Sequence, residues 1–115
     1  MVEIKRGDIY LAKLDPVIYP EPDTGNPVLI IQNDIANQYA PTTIVAAITS
    51  QTSKVKLPTR INLNDKRFGL HKDSVILLEQ IRTIDKNLLR EKIGSIDEAT
   101  MQKVSDALMI SQGIK

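Results

Sequence analysis

A mainly β chain with an α component, a small barrel or curled sheet closed by a C-terminal helix, is predicted by three observations. Short β-rich runs bounded by Pro, Gly and Asn recur from Gly7 to Leu78. The segment after Asp97 changes to apolar steps of three and four. The 115 residues, 42% of them hydrophobic, suffice for one core rather than two, so residues 1–115 read as a single domain.

Each element follows from local chemistry. Gly7-Asp8-Ile9-Tyr10-Leu11-Ala12-Lys13-Leu14 alternates loosely and stops at Asp15-Pro16, a strand. Residues 15–26 hold Pro16, Pro20, Pro22, Asp23, Thr24, Gly25 and Asn26, and Pro27 follows. Proline donates nothing to a ladder and Gly and Asn tolerate turns, so 15–26 is predicted as a loop. Val28-Leu29-Ile30-Ile31-Gln32 is a continuous apolar run, as in a strand covered on both faces. Asn33 to Pro41 reads as a short helical turn or loop, and Thr43–Thr49 as a second buried strand. Lys54–Pro58 is a basic loop. Thr59-Arg60-Ile61-Asn62-Leu63 has the period of a half-exposed strand, and Ser74–Leu78 is a third buried strand, with Gly69 marking the turn before it. From about 97 to 112 a helix is expected, its stripe carrying Met101, Val104, Ala107, Leu108 and Ile110-Ser111. Asp97 suits its N-cap, and Ser95 with Glu98 has capping-box spacing.

Composition excludes several chemistries. With no Cys, disulfide scaffolds, cysteine nucleophiles and thiolate zinc sites are all ruled out. One histidine, His71, argues against multi-histidine metal sites and Ser-His-Asp catalysis, and its polar, turn-like surroundings suit a surface residue. Three Tyr, one Phe and no Trp make the core aliphatic, and that scarcity argues against nucleic-acid binders that stack bases on aromatic platforms. No apolar run approaches a membrane span and the N-terminus lacks a signal-peptide stretch, so a cytoplasmic protein is expected. Glycine-rich phosphate loops, dinucleotide fingerprints and metal-ligand spacings are absent, and no metal or cofactor is expected.

The formal net charge is +1, yet it is unevenly spread. Residues 1–50 carry three basic and six acidic side chains, whereas residues 51–92 carry ten basic and five acidic. A basic middle third fits either a phosphate footprint or an ordinary solvated face, and charge alone favours the solvated face. Thr49 ends a buried strand before Ser50-Gln51-Thr52-Ser53, where a hydroxyl commonly caps local backbone.

Four stretches carry a family resemblance: Lys5-Arg6-Gly7-Asp8-Ile9-Tyr10, Pro27 to Asp34, Ile44 to Thr49, and Asp73 to Lys86. In this order and spacing they resemble the MazF/PemK-type toxins of type II toxin–antitoxin systems, most of all the Gram-positive branch, over essentially the whole chain. The resemblance implies an SH3-like barrel of the CcdB/Kid/PemK-like type, a homodimer, and an acidic, partly disordered MazE-like antitoxin. It also implies sequence-specific, metal-independent endoribonuclease cleavage of single-stranded mRNA, in which the 2′-hydroxyl attacks and leaves a 2′,3′-cyclic phosphate.

Residue by residue, the family's catalytic Thr falls on Thr49. Its catalytic Arg, just before the Pro-Val of the second strand, falls on Asn26, which can hydrogen-bond but carries no charge. RNA contacts are implied for Glu21, Lys54, Lys56, Leu57, Pro58, Gln80 and Arg82. The Asn26 departure leaves three readings open: a natural low-activity variant, altered specificity with Arg82, Lys54 or Lys56 compensating, or a sequence changed to disarm the toxin. The alternative function is therefore a catalytically weakened, antitoxin-binding dimer. A toxin acting on a protein target such as gyrase fits the strand motifs less well.

Overall fold

Gly7 takes φ 97°, which only glycine adopts without strain, and its N–H donates to the Ile30 carbonyl at 2.8 Å. That turn launches the first strand, β1 (Asp8–Ala12). In this computed structural model the described residues are 3–14, 25–50, 57–63, 68–70 and 72–114. After β1 come β2 (Asn26–Ile30), α1 (Asp34–Tyr39), β3 (Thr42–Thr49), β4 (Arg60–Leu63), β5 (Ser74–Asp85), a 3-10 turn (Lys86–Leu88), β6 (Leu89–Ser95) and α2 (Glu98–Ser111). Among the described residues the strands form one antiparallel six-stranded sheet in the order β4-β5-β3-β2-β1-β6.

Both faces of the central strands are covered within this one chain. One face sends Ile9, Leu29, Ile31, Ala46, Ile48, Ile76 and Leu78 against Val104 and Ala107 of α2, with Phe68 and Leu70. Removing Val104 from water stabilises this layer by roughly 1.5–2 kcal/mol. The opposite face holds Tyr10, Ala12, Val28, Ile30, Val45 and Ile84, and a smaller cluster of Ala47, Val75 and Leu77. Three strands buried on both faces were expected, and β2, β3 and the first half of β5 are such strands.

The sheet curls until its ends meet. β4 and β6 are the terminal strands, and the Phe68-Gly69 stretch between β4 and β5 lies against Ile93-Gly94 of β6. A Cβ on Gly69 would sit 1.8 Å from the Ile93 carbonyl oxygen, and one on Gly94 would sit 2.1 Å from that of Phe68. No other residue permits this approach, and it gives the expected small barrel.

Several expectations need correction. Asn26 is the first residue of β2, paired with Ala12, and not loop; Gly25 before it belongs to no strand, as predicted, and 15–24 lie outside the described residues. β5 runs to Asp85, well beyond Leu78, because its second half recruits β3 after a bulge. β6 has no counterpart in the sequence reading: Arg90, Glu91 and Lys92 are exposed, and pairing to β1 rather than apolar pattern holds it. Asp97 does cap α2, accepting from the Thr100 N–H at 2.8 Å, but Ser95 belongs to β6, so no capping box forms. Ile110 is 53% exposed and not on the buried stripe.

Candidate active site

The sheet register assembles the two residues to which catalysis was assigned. Val28 pairs with Ala47, Leu29 with Ala46 and Ile30 with Val45. That pairing stops at Val28–Ala47, and Asn26 and Thr49 lie two residues beyond it, at the neighbouring ends of β2 and β3. Thr49 is in turn paired with Val75 of β5, and Asn26 with Ala12 of β1. Both polar side chains sit among apolar neighbours, Asn26 at 8% and Thr49 at 1% exposure. In sequence they adjoin segments 15–24 and 51–56.

Arg82 pairs with Val45 and so shares a face with Ala47 and Thr49. Four residues separate Val45 from Thr49, about 13 Å along a strand, so Arg82 stands well away from the Asn26–Thr49 pair. Gln80 is half-buried in the β5 bulge, where the register jumps from Ala46–Ile81 to Ala47–Leu77. Glu79 beside it accepts from Thr59 Oγ1 at 2.9 Å and Arg60 Nε at 3.0 Å. Thr59 and Arg60 follow exposed Leu57 and Pro58, whose turn is closed by the Arg60 N–H on the Leu57 carbonyl at 3.0 Å. The Glu79 clamp therefore brings Leu57, Pro58 and Gln80 to one edge. Sequence reasoning missed Thr59, Arg60 and Glu79 because about twenty residues separate the partners and no local pattern joins them. Glu21, Lys54, Lys56 and His71 lie outside the described residues.

The other end of β3 is built differently. Asn37 of α1 donates to the Gln32 carbonyl at 2.9 Å and accepts from Gln32 Nε2 at 3.0 Å and Thr43 Oγ1 at 2.8 Å. Every member is buried and satisfied, as a structural polar network requires. Asn33 caps α1 by accepting from the Ala36 N–H at 2.8 Å. Asp34 accepts from the Arg6 N–H at 2.7 Å, and this bond holds its carboxyl below the ordinary value. Among the described residues no group of three or more His, Cys, Asp or Glu could hold a metal ion. No helix there is long and apolar enough to cross a membrane.

Comparison with known proteins gives the same picture. Residues 5–111 match the model of a family described as PemK-like, MazF-like toxin of type II toxin–antitoxin system. Over 108 residues the chain is 56% identical to Endoribonuclease EndoA of Bacillus subtilis, spanning 94% of this chain and 93% of that protein. Among solved structures, a mycobacterial endoribonuclease in complex with its cognate antitoxin superposes with a TM-score of 0.80 at 23% identity, over 97% of each chain. The MazE-MazF structure (Form-II) from Deinococcus radiodurans gives 0.79 at 16% identity over 100% of each chain. These two share the fold.

Proposed function

Because the chain belongs to the PemK-like, MazF-like toxin family of type II toxin–antitoxin systems, we propose that it is an endoribonuclease toxin cutting single-stranded RNA and held in check by an antitoxin. The observation that carries this reading is the 56% identity to an endoribonuclease over almost the whole of both chains. The placement of Asn26 and Thr49 on adjacent strand ends supports it.

RNA brings its own nucleophile. The 2′-oxygen attacks the adjacent phosphorus, the bond to the 5′-oxygen breaks, and the 2′-proton passes to solvent while the leaving oxygen takes one up. The products are a 2′,3′-cyclic phosphate and a 5′-hydroxyl end. What the protein supplies is in-line orientation and hydrogen bonds to the non-bridging oxygens. Thr49 would donate its hydroxyl and Asn26 its amide. At 1% and 8% exposure they meet a phosphate only after a rearrangement around them. Such chemistry needs no metal or cofactor. Leu57, Pro58 and Gln80 form an edge suited to bases, with Glu21, Lys54, Lys56 and Arg82 as further RNA contacts.

We further propose that the active form is a cytoplasmic homodimer with its RNA groove across the two-fold axis, blocked by an extended acidic segment of the antitoxin. Met109, Ile110 and Ile114 are exposed apolar side chains at the end of α2 and its extension, and a partner subunit would cover them. The test is a long RNA incubated with purified protein in EDTA. Fragments ending in cyclic phosphate are expected; antitoxin binding without fragments supports instead a catalytically weakened module, the reading that Asn26 favours.

A further inference from the structure

A cavity of about 700 Å³ lies between the end of α1, the 3-10 turn and the start of β6, with Tyr10 in its wall. Pockets of roughly 300–1,000 Å³ are the size that takes small ligands. Its chemistry is divided. Ile4, Leu89 and the ring of Tyr10 are apolar, whereas Lys86 and Arg90 bring positive charge. At the rim Tyr39 stands 78% exposed at the end of a six-residue helix.

Tyr10 is the anomaly. The residue is 1% exposed, and its hydroxyl is buried with no hydrogen-bond partner among the described residues. A buried hydroxyl normally has one, so a ligand that displaces the packing over this oxygen would gain a bond that the free protein lacks. Burial, and the negative charge of Asp8, push the phenol above its ordinary value, which keeps it a donor.

The cations are also uncommitted to carboxylates. Lys86 Nζ donates to the Asn37 carbonyl, and Arg90 Nη1 donates to the Asn87 carbonyl at 2.8 Å. Neither forms an ion pair among the described residues, and most of the five guanidinium donors of Arg90 remain for an anion. Asp85, the cavity's carboxylate, accepts the Asn87 N–H at 2.8 Å.

We propose that this cavity binds a nucleotide unit, with the base on Tyr39, the phosphate at Lys86 and Arg90, and a base edge meeting the Tyr10 hydroxyl. Every base has a π face that a tyrosine ring can stack, and guanidinium suits phosphate. Two sources share this chemistry: a free nucleotide, and one nucleotide of a bound RNA strand. The RNA source rests on the ribonuclease reading above; the free nucleotide does not. The cavity abuts Ala40 and Pro41 before β3, whereas Thr49 ends that strand. Seven residues of strand put its mouth about 23 Å from Thr49, so an RNA nucleotide held here lies several units from the cleaved bond.

Calorimetric titration of the purified full chain tests the proposal with adenosine 5′-monophosphate, uridine 5′-monophosphate, inorganic phosphate and a 2′-O-methyl RNA hexamer, which lacks the attacking hydroxyl. At least one nucleotide should bind saturably, at least about tenfold tighter than phosphate. Tyr39→Ala and Arg90→Gln, both at exposed positions, should each weaken it about fivefold or more. Tyr10→Phe should weaken it roughly fivefold without lowering the melting temperature, because that hydroxyl has no partner to lose. A parallel loss for the hexamer assigns the site to RNA; a loss for the mononucleotide alone assigns it to a free nucleotide. Equal binding by all three variants, equal affinity for inorganic phosphate, or no saturation by about 5 mM overturns the proposal. Failure of the ribonuclease reading shows separately, as uncut RNA with nucleotide binding intact.

Discussion

In the reaction proposed above, Asn26 is the position expected to limit the rate. A neutral amide hydrogen-bonds a phosphate oxygen, but it does not add the fixed positive charge that a guanidinium would. Asn26→Arg is expected to raise the rate of RNA cleavage by on the order of a hundredfold, and Thr49→Ala to lower any basal rate by a similar factor. Both are read as initial rates on one RNA, with melting curves to confirm folding. If the Asn26→Arg protein binds RNA as the parent does but cuts no faster, this position is not the limit. Asp34 illustrates a structural charge. Its carboxyl sits below the ordinary value because the folded chain donates the Arg6 N–H to it, so its stabilisation is present above that ordinary value, about 3.9. It is lost as pH falls through the folded value. Asp34→Asn should therefore cost less than about 1 kcal/mol at pH 7, the group being largely exposed, and the gap should narrow as the pH is lowered below the ordinary carboxylate range in chemical denaturation.

At the scale of elements, barrel closure rests on two glycines facing each other across the seam. The 2.1 Å that a Cβ on Gly94 would leave to the Phe68 carbonyl cannot be met by side-chain adjustment, because both groups are backbone. Gly94→Ala should cost roughly 2–4 kcal/mol by urea denaturation, more than an ordinary Gly→Ala in a strand, where the sign is often reversed. Full stability in that variant would mean that β6 does not lie against Phe68-Gly69. β5 serves a separate purpose: its bulge interrupts pairing with β3 at Leu78–Gln80, and Thr59 and Arg60 hold Glu79 there. Gln80 lies within that kink, next to Glu79.

For the whole molecule, burial of the central strands does not itself argue for a dimer, since α2 covers one face and residues such as Ile4, Leu14, Leu88 and Leu89 cover the other. The dimer instead rests on family membership and on the exposed end of α2. Static light scattering at micromolar concentration should give about twice the 12.8 kDa chain mass; a single-chain mass across that range counts against it. The basic segment is a property of the whole surface as well. If Lys54 and Lys56 touch phosphates, Lys54→Glu with Lys56→Glu should weaken RNA binding and flatten its salt dependence by a slope of about two. Unchanged affinity and slope would show that the basic loop Lys54–Pro58 is not the RNA footprint.

By itself the sequence determined the buried strands at Val28–Ile30, Thr43–Thr49 and Ser74–Leu78, the Asp97 cap and the helix after it. All of these are written in contiguous apolar runs or in a spacing of three and four, which the backbone reads locally. It also carried Thr49 and Asn26 as candidates, through resemblance rather than through any pattern of their own. Tertiary structure alone decided that those two end neighbouring strands on the same side of the sheet, because pairing is a relation between strands about twenty residues apart. Only in three dimensions does β6 become a strand, since Leu89–Ser95 has little apolar pattern and takes its hydrogen bonds from β1. The same holds for the Tyr10 hydroxyl: its residue type fits any strand, and only the packing of the folded chain leaves it a buried, unpartnered donor in a residue that lines a charged cavity.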